Sequence, residues 1–108
     1  MRPIVLAVLL LAAPTVSFAA EMPTFSLTLK DHHFTPSELT IPAGVRVKLK
    51  VRNLDATPAE FESDDFKAEK VIPAGQEVTI ILPALKAGSY EFHDEYHEAP
   101  SKSRLTVR

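Results

Sequence analysis

The chain has 108 residues, with 12 Lys and Arg against 14 Asp and Glu and a formal net charge of −2. So even a balance offers no concentrated basic surface, and nucleic acid is not an expected partner. Cysteine is absent, so a small exported domain would have to rely on a closed β core, a metal, or both.

Residues 1–19 read as a signal peptide. Arg2 supplies a short basic start, Ile4 to Ala13 is apolar, and Ser17-Phe18-Ala19 has the small-residue pattern that suits cleavage after Ala19. The alternative, an uncut anchor, is disfavoured by the short apolar run and the lack of a basic stop-transfer flank. Residues 20–108 are then expected to form one domain.

Along that domain, Phe25, Leu27 and Leu29 alternate with polar residues between Glu21 and Lys30, the period of a half-buried strand. Asp31 to Pro36 breaks the pattern, and Glu38-Leu39-Thr40-Ile41 begins a second strand before a Pro42-Ala43-Gly44 turn. Val45, Val47, Leu49 and Val51 alternate with Arg46, Lys48, Lys50 and Arg52, which reads as a strand with a solvated outer face. After the turn-rich Asn53 to Pro58, Ala59 to Ser63 should turn Phe61 to the core and Glu60 and Glu62 to the opposite face.

Residues 63–70 are charged and allow a short helical turn. Val71-Ile72 ends a strand before Pro73-Ala74-Gly75, and Glu77 to Pro83 is strongly apolar. Gly88 leads into Tyr90 and Phe92, and Leu105 and Val107 alternate in a final strand that should pair inside a sheet. About eight short strands with frequent turns predict an all-β antiparallel sandwich or barrel.

The chemistry concentrates at Phe92-His93-Asp94-Glu95-Tyr96-His97-Glu98. Carboxylates crowded on one loop repel unless they are solvated or neutralised, and a bound cation would do the latter. The spacing of Asp94 and His97 lets both side chains turn inward on one ion, whereas the bland reading is an exposed acidic loop.

The ordered set Phe34-Thr35-Pro36 to Pro42-Ala43-Gly44, Val51-Arg52-Asn53, Thr57-Pro58, Pro73-Ala74-Gly75 and Gly88-Ser89-Tyr90-Glu91-Phe92 resembles the cupredoxins. That resemblance implies a Greek-key β-sandwich of about seven to eight strands. It places Asp94 where the blue-copper thiolate would stand and His97 at a histidine position, while Ala59 takes the place of the other histidine. Without a thiolate a blue copper site is excluded.

Glu60, Glu62 and Glu95 together with Asp94 and His97, and with His32 and His33 nearby in the aligned fold, give an oxygen-rich set suited to iron or oxidised copper, and His93 is a further candidate. Glu60 and Glu62 are equally read as the wet face of an edge strand. At most one of His32 and His33 is expected to face the site, the role of His93 is open, and Tyr96 is either a hydrogen-bond donor beside the site or a surface aromatic. The segment Thr57 to Ser63, continuing to Pro73, is similar to cupredoxin-like components of bacterial ferrous-iron uptake. This resemblance implies a periplasmic protein binding copper and/or iron, with a copper-binding partner and an inner-membrane iron permease. A non-redox copper chaperone or metal buffer is the alternative.

Overall fold

The computed structural model describes residues 22–108, together with residues 2–5, 7, 8 and 12. Half of the apolar run and the Ala19 cleavage point lie outside the described residues. Among the described residues there are nine strands: β1 (Thr24–Lys30), β2 (His33–Thr35), β3 (Glu38–Ile41), β4 (Val47–Asn53), β5 (Ala59–Ser63), β6 (Ala68–Ile72), β7 (Glu77–Leu82), β8 (Gly88–Asp94) and β9 (Ser103–Val107). They form two sheets, ordered β2-β1-β4-β7 and β3-β9-β8-β5-β6.

The strands bury one face each because their apolar residues recur every second position. Val47, Leu49 and Val51 of β4 are fully buried, and so are Leu27 and Leu29 of β1, Phe61 of β5, Phe92 of β8 and Leu105 of β9. The basic residues of β4 stay exposed on its other face, and the last strand lies between β3 and β8, as expected. Both Pro-Ala-Gly segments turn with their glycines at φ 75° and 70°, the left-handed region that glycine enters without a Cβ penalty.

Several boundaries differ from the sequence reading. Val45 is exposed and precedes β4, which runs on through Asn53. Asn53 keeps its place in the strand because its side chain, fully buried, donates from Nδ2 to the Thr57 and Ile72 carbonyls at 2.8 and 3.1 Å. The break after Lys30 is only a tight turn, since β2 folds back antiparallel on β1. Residues 64–67 turn without forming a helix and lead directly into β6. The helical residues lie instead at Glu95–His97, a 3-10 turn, and at Glu98–Ser101, α1.

The sheets are mixed rather than purely antiparallel. β1 pairs with β4 and β3 with β9 in parallel, while the other pairs are antiparallel. The parallel pair β1–β4 arises because the chain leaves the first sheet after β2, adds β3 to the second, and returns to the first as β4. Alternation within one strand carries no information about which neighbour it will find or in which direction.

Phe61 packs against Phe92 at 5.3 Å between ring centroids, and Phe34 meets Phe92 edge-on at 5.2 Å. These aromatics come from β2, β5 and β8, the strands whose ends carry the candidate ligands. They form a firm floor beneath that end of the sandwich.

Candidate metal centre

Strand pleating sorts the ligand candidates onto two faces of the second sheet. Phe61 pairs with Asp94, and Glu62 with His93, across β5 and β8. Side chains at paired positions share a face, so Asp94 follows Phe92 to the inner face and His93 joins Glu62 on the outer one. Asp94 is therefore buried completely at the end of the core, with 0% exposure.

A buried carboxylate requires hydrogen bonds, and Asp94 has them. Its Oδ1 accepts the backbone N–H groups of Glu60 at 2.9 Å and Tyr96 at 3.1 Å, the second bond capping the 3-10 turn. Its Oδ2 lies 3.3 Å from Nδ1 of His97. The Asp94 N–H donates to the Ser101 hydroxyl at 2.7 Å, and that hydroxyl lies 2.7 Å from the His97 carbonyl. Ser101 thus ties the helical turn carrying His97 back onto β8, and it is itself wholly buried.

His32 reaches the same place from the β1–β2 turn. Asp31 and His32 adopt φ of 50° and 62°, a left-handed pair in which both N–H groups point to one side. The Asp55 carboxylate accepts them at 2.6 and 3.0 Å, and its Oδ2 also lies 3.5 Å from His32 Nδ1. Asp55 is fixed in turn by Asn53, whose Oδ1 accepts the Asp55 N–H at 2.9 Å. So positioned, the imidazole of His32 stacks on that of His97, with centroids 3.6 Å apart and planes 12° from parallel.

His32, Asp94 and His97 consequently present ligand atoms within 4.8 Å of one another. Two imidazole nitrogens and one carboxylate oxygen suit divalent zinc, copper or iron. The donor set fits a metal. Because Oδ1 is already occupied by two backbone donors, Oδ2 is the atom Asp94 has to offer.

The other sequence candidates fall elsewhere. Glu62, His93 and Glu95 form a separate group, also with ligand atoms within 4.8 Å. Glu60, a sequence candidate, does not join the inner trio. The pleat directs it to the outer face, where its carboxylate lies 3.4 Å from the Tyr96 hydroxyl. Burial, followed by the charge and hydrogen bond of Glu60, holds the Tyr96 phenol above its usual range. His33 is exposed on edge strand β2, opposite Lys30, and belongs to neither group, so of the two adjacent histidines only His32 joins one.

Three residues that shape the trio were given no part in the site by the sequence: Asn53, read only as a turn and family-motif residue, Asp55 and Ser101. Asp55 lies 23 and 24 residues from the N–H groups it receives, a relation that local pattern cannot express. The signal that was available is Asn53-Leu54-Asp55 itself, since Asn and Asp in a loop commonly hydrogen-bond nearby backbone.

Comparison with known proteins agrees with this architecture. The family model for the cupredoxin-like domain matches residues 3–107. An uncharacterized protein of Rickettsia prowazekii (strain Madrid E), RP394, is 35% identical over 81 residues, covering 75% of this chain and 65% of its own length. This chain therefore spans about two thirds of that relative. Among solved structures, the metal binding domain of the Cu(I) exporting P-type ATPase CopA of Streptococcus pneumoniae D39, with Cu(I), superposes with a TM-score of 0.73 at 14% identity, over 85% of this chain and 91% of that one. Auracyanin A, a "blue" copper protein of Chloroflexus aurantiacus, gives 0.68 at 15% identity, over 82% of this chain and 100% of its own. At such identities the likeness establishes the fold. With a family model spanning nearly the whole sequence and a matching two-sheet sandwich, the chain belongs to the cupredoxin-like domain family.

Proposed function

We propose that this is an exported cupredoxin-like protein that binds copper and/or iron at His32, Asp94 and His97 and assists ferrous-iron uptake. The observation carrying metal binding is the convergence of two imidazoles and a fully buried carboxylate from two distant segments of the chain, the β1–β2 turn and the end of β8. The structural similarity to copper proteins such as auracyanin A and the Cu(I)-bound metal binding domain of CopA supports a metal-binding role. The leader-like residues 1–19 support export to the periplasm.

A copper or iron ion bound there would supply one-electron exchange. The chain's own residues determine what kind of ion is held. Asp94 brings a fixed anionic oxygen, and His32 and His97 bring borderline nitrogens, a set that favours a divalent or trivalent ion over cuprous copper. The sequence has no cysteine, and Met22 is the only methionine after the leader, so soft sulfur ligation has little to draw on. Glu60, Glu62 and Glu95 add an acidic rim around the same end, suited to attracting a cation such as ferrous iron from solvent. In this reading the protein works beside a periplasmic copper-binding partner and an inner-membrane iron permease.

The test is titration of the metal-free protein with copper(II), and anaerobically with iron(II), for the parent and for Asp94→Ala and His97→Ala. Each substitution is expected to weaken binding at this centre at least tenfold. Parent-like binding of both metals by both variants would show that the centre lies elsewhere. Deleting the gene should also slow ferrous-iron accumulation by iron-limited cells. Normal iron uptake combined with lost copper tolerance would instead favour the non-redox copper chaperone.

A further inference from the structure

Glu62, His93 and Glu95 lie on the outer face of the second sheet, on the far side of the β8 backbone from Asp94. The imidazole of His93 is only 5% exposed although it is on that outer face, and its Nε2 is 2.7 Å from Oε2 of Glu95. Glu62 stands opposite His93 on one side and opposite Glu69 of β6 on the other. Like charges directly opposite across strands destabilise a sheet.

Lys67 lines a shallow pocket with Glu62 and Glu69 but forms no ion pair with them: among the described residues the only Lys or Arg ion pair is Arg52–Glu77. Ligand atoms of Glu62, His93 and Glu95 nevertheless all lie within 4.8 Å of one another. Two carboxylates and a buried imidazole have thus been brought to one point by strand register.

We infer that Glu62, His93 and Glu95 form a second cation site, distinct from the His32–Asp94–His97 centre, for a divalent transition-metal ion that accepts carboxylate oxygen together with imidazole. Its donors are within 4.8 Å of one another, and two oxygens with one nitrogen make it harder than the inner centre, suited to ferrous iron, manganese or zinc. The two centres are joined by the single peptide bond between His93 and Asp94, whose side chains leave β8 on opposite faces. The second site needs no residue of the first, so it stands or falls independently of the proposed function.

The experiment is an anaerobic calorimetric titration of the metal-free full chain with iron(II). Four proteins are compared: the parent, His97→Ala, the double variant Glu62→Gln with Glu95→Gln, and the combination of all three changes. Both glutamates reach solvent, and glutamine preserves their size, so the double variant is expected to keep its fold, which circular dichroism checks. The parent should take up two equivalents, His97→Ala and the double variant one each, and the triple variant none, with at least a tenfold loss of affinity at each removed site. Two equivalents in the double variant would overturn the inference. So would a single parental equivalent that disappears with His97→Ala. If the parent bound one equivalent that survived His97→Ala and vanished in the double variant, the second site would stand and the inner centre would fail.

Discussion

Replacing Asp94 separates its two roles, because each carboxylate oxygen has different partners. Oδ1 accepts the N–H groups of Glu60 and Tyr96, whereas Oδ2 faces His97. Asp94→Ala orphans both backbone donors, and an unsatisfied buried donor costs about 1–3 kcal/mol. As both bonds are only partly shielded, the lower half of that range applies to each, and the variant should lose about 2–4 kcal/mol. That is a large share of the ~5–15 kcal/mol available to a small domain. Asp94→Asn keeps an oxygen for the same two donors, so its loss should be under half that of the alanine variant, yet it removes the anionic ligand. Urea unfolding with chelator present would measure the first effect, and copper(II) titration of the folded variants the second. The reasoning is refuted if asparagine destabilises as much as alanine. It is equally refuted if asparagine binds copper(II) as tightly as aspartate.

Asn53→Ala removes three hydrogen bonds of a fully buried side chain and should cost about 2–4 kcal/mol. Because Asn53 fixes Asp55 and Asp55 fixes His32, the variant should also bind metal less tightly without having lost a ligand. Destabilisation with parental affinity would break that chain of support. A pH series addresses the outer face. Glu62 is raised from 4.5 to about 7, so the stability it contributes is full below pH 4.5 and is lost as pH rises through 7. His93 is raised as well: burial pulls it down, but the Glu95 hydrogen bond and the Glu98, Glu95 and Glu62 charges outweigh that, and its contribution also fades with rising pH. Glu95 is lowered, chiefly by its hydrogen bond to His93, and its contribution is lost only as pH falls. The metal-free protein should therefore become less stable between pH 5 and pH 8, and Glu62→Gln should flatten that decline. An unchanged slope in the variant would show that Glu62 does not cause it.

Much of the fold was legible because a strand's burial is written in its alternation. Phe61 and Phe92 faced the core, and Glu60 and Glu62 faced away, as period two required. The same rule, applied one strand further, also separates Asp94 from His93. What it lacked was the register between β5 and β8, which decides that Glu62 meets His93 rather than Asp94. Register depends on pairing across some 30 residues of chain, and no local pattern carries it. The site was legible as a list of ligand types and illegible as a partition. His32 shows the same limit: its selection over His33 comes from the left-handed turn and the distant Asp55 that stabilises it. The helical turn at Glu95–Ser101 was read as a loop because seven residues containing a proline show no helical period, and Ser101 closes it through hydrogen bonds alone.

The flat stacking of His32 on His97 also sets a rate. A ring nitrogen donates in the plane of its ring, and these two nearly parallel rings have centroids 3.6 Å apart. An ion midway would sit about 1.8 Å off each plane, most of a metal–nitrogen bond of roughly 2.0–2.1 Å. One ring must therefore turn before both can hold the same ion. Capture then proceeds through a minor unstacked population, and the observed association rate levels off at the rate of unstacking as ion concentration rises. In the proposed centre the stack is then expected to act as a gate, and copper(II) uptake followed by stopped flow should saturate at its opening rate.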